Sequence, residues 1–149
     1  MTKILFICHG NICRSPIAAS LFQDIIEKEG RADDFLIDSA ATSREEIGNP
    51  IYPPMMRIAR EHNLPLLDHH SRQITRLAVK EYDRLIVMDK NNMNNLLRMF
   101  PDAKDKAHYL TEYSGTYFGK EIEDPWWTEN YQKVYNQIQD CVLSLYKSL

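Results

Sequence analysis

The stretch LFICHGNICRSPIAASL, residues 5–21, decides the fold of this chain. It begins inside a continuous apolar run, which is typical of a strand buried on both faces of a parallel sheet. Apolar residues at helical spacing follow from position 17, and Ser15 and Pro16 suit the first turn of a helix. Cys8 therefore ends a buried strand, and Arg14 stands where the next helix begins.

The rest of the chain continues to alternate strands and helices. The pattern predicts strands at residues 3–8, 35–40, 84–88 and 107–110, and helices at residues 16–29, 53–62, 89–100 and 128–146. Such alternation implies right-handed crossovers and helices on both faces of a parallel sheet. We therefore expect one α/β domain over residues 1–149, with three layers and a central four-stranded parallel sheet. Ligands bind such sheets at the carboxyl ends of the strands, where Cys8 lies.

Composition excludes several classes of protein. The chain has 149 residues, of which 44% are hydrophobic, and this is enough for an ordinary core without disulfides. A net charge of −3 without a basic run argues against nucleic acid as a partner. No apolar stretch approaches the roughly 20 residues that span a bilayer, and the start is too short for a signal peptide. Three cysteines do not make a disulfide framework, so we expect a cytoplasmic protein.

The loop between the first strand and the first helix is suited to binding a phosphate group. Successive backbone N–H groups can curl around an anion there, and the helix N-terminus adds partial positive charge. Gly10 permits a close approach to the loop, and Asn11 tolerates a left-handed conformation. The planar guanidinium of Arg14 matches two phosphate oxygens. The sequence therefore predicts a phosphate-binding loop after the first strand.

The same loop favours a nucleophilic cysteine. A thiol at a helix N-terminus beside an arginine loses its proton readily, and the Ser15 hydroxyl can donate to the thiolate. We predict that Cys8 attacks phosphorus and forms a phosphocysteine while Arg14 holds the equatorial oxygens. On the residues alone, two other interpretations stay open. Cys8 and Cys13 can be ordinary core cysteines, or they can bind a metal together with His9.

An enzyme that forms a phosphocysteine also needs an acid. A leaving tyrosine oxygen has a pKa of about 10, so its protonation assists the reaction. Asp124 is the best candidate, because Pro125 stiffens the backbone beside it. Trp126 and Trp127 would then form an aromatic wall for a phenyl ring. Without the loop, Asp-Pro would indicate only a turn, and the two tryptophans would indicate core.

Taken together, Cys8-x5-Arg14-Ser15-Pro16 and Asp124-Pro125 resemble the low-molecular-weight protein tyrosine phosphatases. The resemblance covers the whole chain and includes the segments DSAATS (38–43), HHSRQ (69–73) and MDKNNMNNL (88–96). It implies hydrolysis of phosphotyrosine in protein substrates. Cys8 would be the nucleophile, Arg14 the phosphate clamp, and Asp124 the general acid and then the general base. It implies no metal and no cofactor, and we expect a monomer.

The resemblance also implies how the loop is formed and supported. The phosphate-binding loop would comprise, besides Cys8 and Arg14, the residues His9, Gly10, Asn11, Ile12, Cys13 and Ser15. A hydrogen-bond network of Asn11, Ser15, Ser39 and His69 would hold it. In this family a second loop cysteine, here Cys13, can trap the oxidised nucleophile as a reversible disulfide. Cys141 lies on the apolar face of the last predicted helix, and we expect it in the core.

The sequence departs from better-known eukaryotic members of that family in the wall of the cleft. His9 stands where a leucine is usual, and Glu45 stands where a tryptophan often lines the cleft. Trp126 and Trp127 replace a tyrosine pair that can itself be phosphorylated, which removes that mode of regulation. The tryptophans would replace the lost aromatic surface. Glu45 would favour basic residues beside the phosphotyrosine of the substrate.

Three other functions are compatible with this fold or this loop. Arginine phosphatases of the same fold carry a threonine at the position of Ile12. The β-branched apolar side chain of Ile12 would pack against an aromatic ring and narrow the site for a guanidinium group. Thiol-dependent arsenate reductases need further cysteines after the third strand, and residues 80–100 hold none. A non-catalytic phosphotyrosine-binding module would be expected to lose Cys8, Arg14 or Asp124. Ile12 and the three retained residues therefore favour a tyrosine phosphatase.

Overall fold

A parallel sheet forms the centre of the protein in the computed structural model, which describes residues 1–149. Its strands are β1 (Thr2–Cys8), β2 (Phe35–Ala41), β3 (Arg84–Val87) and β4 (Ala107–Tyr109). They lie in the order β2-β1-β3-β4, and every neighbouring pair is parallel. The predicted four-stranded parallel sheet is confirmed.

Six α-helices surround this sheet. They are α1 (Arg14–Lys28), α2 (Pro53–Glu61), α3 (Arg76–Glu81), α4 (Lys90–Met99), α5 (Pro125–Thr128) and α6 (Tyr131–Lys147). Single 3₁₀ turns lie at residues 32–34, 101–105 and 110–113. The structure contains no helix with the length and apolar character that crossing a membrane requires.

The two faces of β1 explain why its sequence is apolar throughout. Ile4 and Phe6 are fully buried against the cluster that contains residues of α1, α2 and α6. Leu5 and Ile7 are fully buried on the opposite face, with residues of α3 and α4. Side chains alternate between the faces of a strand, so a strand with helices on both sides needs apolar residues at every position. The predicted three-layer, single-domain architecture is confirmed.

Some elements differ from the prediction. Helices α3 and α5 were not predicted, because each is too short to show a helical period and begins at a side-chain cap. Thr75 caps α3 by accepting a hydrogen bond from Ala78 N at 3.1 Å. The last helix begins at Tyr131 rather than at residue 128, because Glu129 adopts a left-handed conformation (φ 60°) that ends α5.

The strand order places a crevice beside Cys8. From β1 the chain connects to β2 on one side, and from β2 it crosses to β3 on the other side of β1. The carboxyl ends of β1 and β3 therefore flank a topological switch point, where α/β sheets bind their ligands. Cys8 is the last residue of β1, and Asp89 follows soon after β3 ends at Val87.

Candidate active site

The Cys8 sulfur is surrounded by hydrogen-bond donors. The backbone N–H of Asn11 donates to Cys8 Sγ at 3.3 Å, and Ser15 Oγ lies 3.0 Å from the same sulfur. Asn11 Nδ2 donates to Ser15 Oγ at 2.7 Å, so the Ser15 hydroxyl is free to direct its own proton at the sulfur. Because hydrogen bonds to a charged acceptor are the stronger ones, this arrangement suits a thiolate.

Asn11 is the residue that organises the loop. It adopts a left-handed conformation (φ 59°), as its type permits. Besides its bond to Ser15, Asn11 Nδ2 donates to Ser39 Oγ at 3.0 Å, and Asn11 Oδ1 accepts from Arg72 N at 3.3 Å. His69 Nε2 donates to the Asn11 carbonyl at 2.6 Å. The structure thus brings together the four residues for which the resemblance implied a network.

The segment that contains His69 supports the loop from behind. Burial lowers the pKa of His69, although its hydrogen bond to Asn11 acts in the opposite direction, so the ring is neutral at pH 7. Ser71 Oγ donates to the carbonyl of Gly10 at 2.8 Å, and Ser43 Oγ donates to the carbonyl of His9 at 2.9 Å. Sequence reasoning assigned no role to Ser43 or Ser71, because a single serine in a loop carries no distinctive signal.

Arg14 is buried and held by two different parts of the chain. Only 2% of the residue is exposed. Its Nη1 donates to Asp89 Oδ2 at 2.7 Å and to the carbonyl of Ile122 at 2.9 Å, and its Nη2 lies 3.5 Å from Asp124 Oδ2. Burial opposes the charge, but the negative charges of Cys8, Asp89 and Asp124 keep the Arg14 pKa above its usual value. Arg14 therefore remains a cation at the base of the site.

Asp89 is a site residue that sequence reasoning missed. It caps α4, because its Oδ1 accepts from Asn92 N at 2.7 Å while Oδ2 binds Arg14. The buried Asn92 in turn accepts from Met88 N at 3.2 Å and fixes this turn. Both carboxylate oxygens are thus engaged. The sequence could have indicated Asp89 only by its position, because it lies between the end of a predicted parallel strand and the start of a helix, where such sheets bind their ligands.

Asp124 faces Arg14 from a short helical turn. It caps α5 by accepting from Trp126 N at 3.1 Å, and its side chain is 26% exposed. The neighbouring Glu123 turns to Lys133, whose hydrogen bond is the main cause that lowers the Glu123 pKa to about 2. Of these two adjacent acids, only Asp124 reaches the site.

A cavity of about 340 Å³ opens above the loop. Its lining residues are Cys8, His9, Gly10, Asn11, Ile12, Cys13, Arg14, Glu45, Glu46, Asn91, Asp124, Trp126 and Trp127. The cavity brings together the predicted loop, the predicted acid and the predicted wall. Ser15, Ser39 and His69 are not among the lining residues and lie behind the loop. Glu46 and Asn91 also line the cavity and were not predicted to do so.

The two tryptophans are surface residues at this cavity rather than core. Trp127 is 80% exposed, and Trp126 is 48% exposed with its ring 5.3 Å from that of Tyr52. Also at this cavity, Glu45 Oε2 lies 3.0 Å from His9 Nε2. A Cβ on Gly10 would lie 3.3 Å from Glu46 Cγ, so the close approach that Gly10 permits is that of the Glu46 side chain.

All three cysteines are free thiols. Burial is the largest cause that raises the pKa of Cys13, followed by the nearby Cys8 and Asp124, so Cys13 is a neutral thiol at pH 7. Cys141 is fully buried in the core, where burial raises its pKa to about 12. No group of three or more His, Cys, Asp or Glu side chains is arranged to hold a metal ion.

A free cysteine, a buried arginine and an aspartate around one anion-sized loop define a phosphate-handling cysteine enzyme. The chain belongs to the low molecular weight phosphotyrosine protein phosphatase family, because the model of that family matches residues 3–149. It is 36% identical over 144 residues to the low molecular weight phosphotyrosine protein phosphatase of Rattus norvegicus, covering 93% of this chain and 90% of the relative. The resemblance found in the sequence is confirmed.

Solved structures agree with this assignment. The crystal structure of YfkJ from Bacillus subtilis superposes with a TM-score of 0.94 at 30% identity, covering 99% of this chain and 94% of that one. The arginine phosphatase YwlE of Bacillus subtilis, in a variant with a phosphorylated active-site serine, gives a TM-score of 0.87 at 26% identity and covers 99% and 95% of the two chains. The fold is therefore shared by proteins named for different phosphorylated substrates.

Proposed function

We propose that this protein hydrolyses phosphotyrosine in protein substrates through a phosphocysteine intermediate. The observation that carries the proposal is the convergence of Cys8, Arg14 and Asp124 on one cavity. The chain's membership of a phosphotyrosine phosphatase family supports the choice of substrate.

In the first step, the Cys8 thiolate attacks phosphorus. A sulfur–phosphorus bond forms while the bond from phosphorus to the tyrosine oxygen breaks, and Asp124 gives its proton to that oxygen. Loop N–H groups and Arg14 stabilise the charge on the equatorial oxygens. Arg14 Nη1 already donates hydrogen bonds to Asp89 and to the carbonyl of Ile122, so the guanidinium group has its orientation before the substrate arrives.

In the second step, water attacks the phosphocysteine. Asp124, now a carboxylate, takes a proton from the water as the new phosphorus–oxygen bond forms and the sulfur–phosphorus bond breaks. Inorganic phosphate leaves, and Cys8 returns to the thiolate. Ser15, oriented by Asn11, donates to the sulfur and stabilises it as the leaving group. No cofactor takes part in this scheme.

The cavity walls favour an aromatic phosphate ester. Trp126 and Trp127 offer flat apolar surface for a phenyl ring, and the largely buried Ile12 adds apolar surface at the loop. A phosphoarginine substrate would bring a guanidinium group, which gains little from contact with Ile12.

We further propose that residues 1–149 act as one catalytic domain and as a monomer. We place this reaction in the cytoplasm, where reducing conditions keep free thiols intact.

Phosphate release from matched peptides tests the proposal. Three peptides of one sequence would carry phosphotyrosine, phosphoserine or phosphoarginine, and Cys8→Ala would provide the blank. We expect the phosphotyrosine peptide to be hydrolysed fastest and the blank to release no phosphate. Faster release from phosphoarginine would overturn the substrate and keep the mechanism, whereas binding without release from any peptide would indicate a non-catalytic module.

A further inference from the structure

The charge that lines the cavity is mostly negative, although the reacting group is an anion. Glu45 and Glu46 contribute two carboxylates, and the third acidic residue at the cavity is Asp124, the proposed proton donor. Arg14 is the only lysine or arginine among the lining residues, and it is buried beneath the cavity with Asp89 as its partner. The mouth of the cavity therefore repels an isolated dianion while its base attracts it.

We propose that Glu45 and Glu46 form a subsite for a lysine or arginine side chain next to the phosphotyrosine of the substrate. This proposal rests on the proposed function and narrows its substrate class to phosphotyrosine with basic neighbours. A cation that arrives with the phosphate offsets the repulsion of the two glutamates. Complementary charge of this kind chiefly sets specificity and the rate of association.

Both glutamates are placed to accept such a cation. The side chain of Glu45 is 69% exposed, and only its Oε2 has a partner, His9 Nε2. Glu46 uses only its Oε2, which accepts from Asn49 Nδ2 at 2.6 Å. One oxygen of each carboxylate is thus without a hydrogen bond from the protein. Because the side chain of Glu46 lies against Gly10, this acidic wall stands directly above the phosphate-binding loop.

The exposed Trp127 extends the same preference. Trp127 is 80% exposed at the cavity and therefore offers most of its ring face to a substrate. Indole rings attract lysine and arginine side chains through their π faces and also pack against the aliphatic stems. A basic residue beside the phosphotyrosine can therefore contact the carboxylates of Glu45 and Glu46 or the indole ring of Trp127, which line the same cavity.

The test compares phosphotyrosine peptides that differ only in the residues next to the phosphotyrosine, which are lysine, alanine or glutamate. We would measure kcat/KM for the wild type, for the Glu45→Gln/Glu46→Gln double variant and for Glu61→Gln, a control at an exposed position at the end of α2. We expect the wild type and the control to prefer the lysine peptide over the alanine peptide by about 3- to 10-fold. The double variant should reduce this ratio to below about 2-fold.

Salt provides a second measurement. Screening shortens the reach of exposed charges from about 10 Å at 0.1 M to about 3 Å at 1 M salt, so the lysine preference should shrink as salt rises. An equal rate for the lysine and alanine peptides, a preference for glutamate, or a lysine preference that survives in the double variant would overturn the subsite. Failure to hydrolyse any of these peptides would instead overturn the proposed function itself.

Discussion

Asp89 Oδ2 accepts a 2.7 Å hydrogen bond from Arg14 Nη1 and so ties the end of β3 to the loop that follows β1. The same nitrogen of Arg14 donates to the carbonyl of Ile122, two residues before Asp124. Ile122 N also donates to the carbonyl of Met88 at 3.0 Å. One buried cation therefore sets the position of the phosphate site and of the loop that carries the proposed acid.

Replacing Asp89 with Asn tests this tie. The amide keeps the size of the side chain but removes the charged acceptor of Arg14, so the guanidinium loses its fixed orientation. We expect kcat/KM to fall by about 10- to 100-fold, because hydrogen bonds to charged groups contribute about 1.5–3 kcal/mol. Inhibition by inorganic phosphate should weaken in parallel.

The matched control is Asp102→Asn, which changes an exposed aspartate whose nearest cation is Arg76 at 3.5 Å. Circular dichroism would verify that both variants fold. If Asp89→Asn kept kcat/KM and phosphate inhibition within 2-fold of the control, the orientation of the Arg14 guanidinium would not depend on the charge of Asp89.

Replacing Asp124 with Asn tests the proposed acid. The variant cannot protonate the leaving oxygen, so aryl phosphates with poor leaving groups should slow by about 10²- to 10⁴-fold. Those with good leaving groups need little protonation and should slow far less. Plots of log kcat/KM against leaving-group pKa would therefore become steeper. The control is Glu123→Gln, which alters the adjacent acid that faces Lys133 and should leave the slope unchanged. If Asp124→Asn slowed all esters equally, Asp124 would not be the general acid.

The lowered pKa of His69 predicts a pH dependence of stability. Burial is the main cause of that lowered value. The unfolded state, with an ordinary histidine pKa of about 6.5, takes up a proton that the folded state resists, so the free energy of unfolding falls as pH drops below that value. His69→Gln retains a donor for the Asn11 carbonyl but cannot titrate.

Urea unfolding at pH 7 and at pH 5 would measure this effect. The wild type should lose more stability between the two values than His69→Gln does. An equal loss in both proteins would show that His69 does not resist protonation in the folded state.

The two loop cysteines predict a redox response. A peroxide would convert the Cys8 thiolate to a sulfenic acid, with cleavage of the peroxide bond and release of water. This step removes the negative charge that helps to raise the Cys13 pKa. Cys13 can then attack the Cys8 sulfur, form a disulfide and expel the hydroxyl group as water.

Mass spectrometry after mild peroxide should therefore find a Cys8–Cys13 disulfide that thiols reverse. Cys13→Ser should instead accumulate the sulfenic acid, which further peroxide converts to the sulfinic acid, and only this second oxidation makes the loss of activity irreversible. Finding only sulfenic or sulfinic acid on Cys8 of the wild type would exclude the disulfide.

Much of the fold was predictable because the signals were local. The apolar run of β1 and the helical spacing of α1 follow directly from burial of one strand and one helix face. The short helices α3 and α5 were not predictable, because their single turns depend on caps and on tertiary contacts. The left-handed Glu129 that divides α5 from α6 likewise has no compositional signal.

The candidate site likewise contains residues that the local sequence indicates and residues that only the folded structure brings to it. Cys8, Asn11 and Arg14 lie in one loop, so their types and spacing are enough to indicate their chemistry. Asp89 reaches Arg14 across 75 positions in the sequence, and only the strand order shows that β3 lies beside β1. Glu46 lies 36 positions from Gly10 in the sequence, and only the folded structure shows that it lines the cavity and lies against Gly10.

The most direct test of the phosphocysteine mechanism is to identify the phosphorylated intermediate. Asp124→Asn would be mixed with an isotopically labelled aryl phosphate that has a good leaving group and quenched within milliseconds. Such an ester needs little protonation to form the intermediate, whereas loss of the general base slows hydrolysis of the intermediate. We expect label on the sulfur of Cys8, and no label in the Asp124→Asn/Cys8→Ala double variant. Label on another residue, or phosphate release without any dependence on Cys8, would contradict this mechanism.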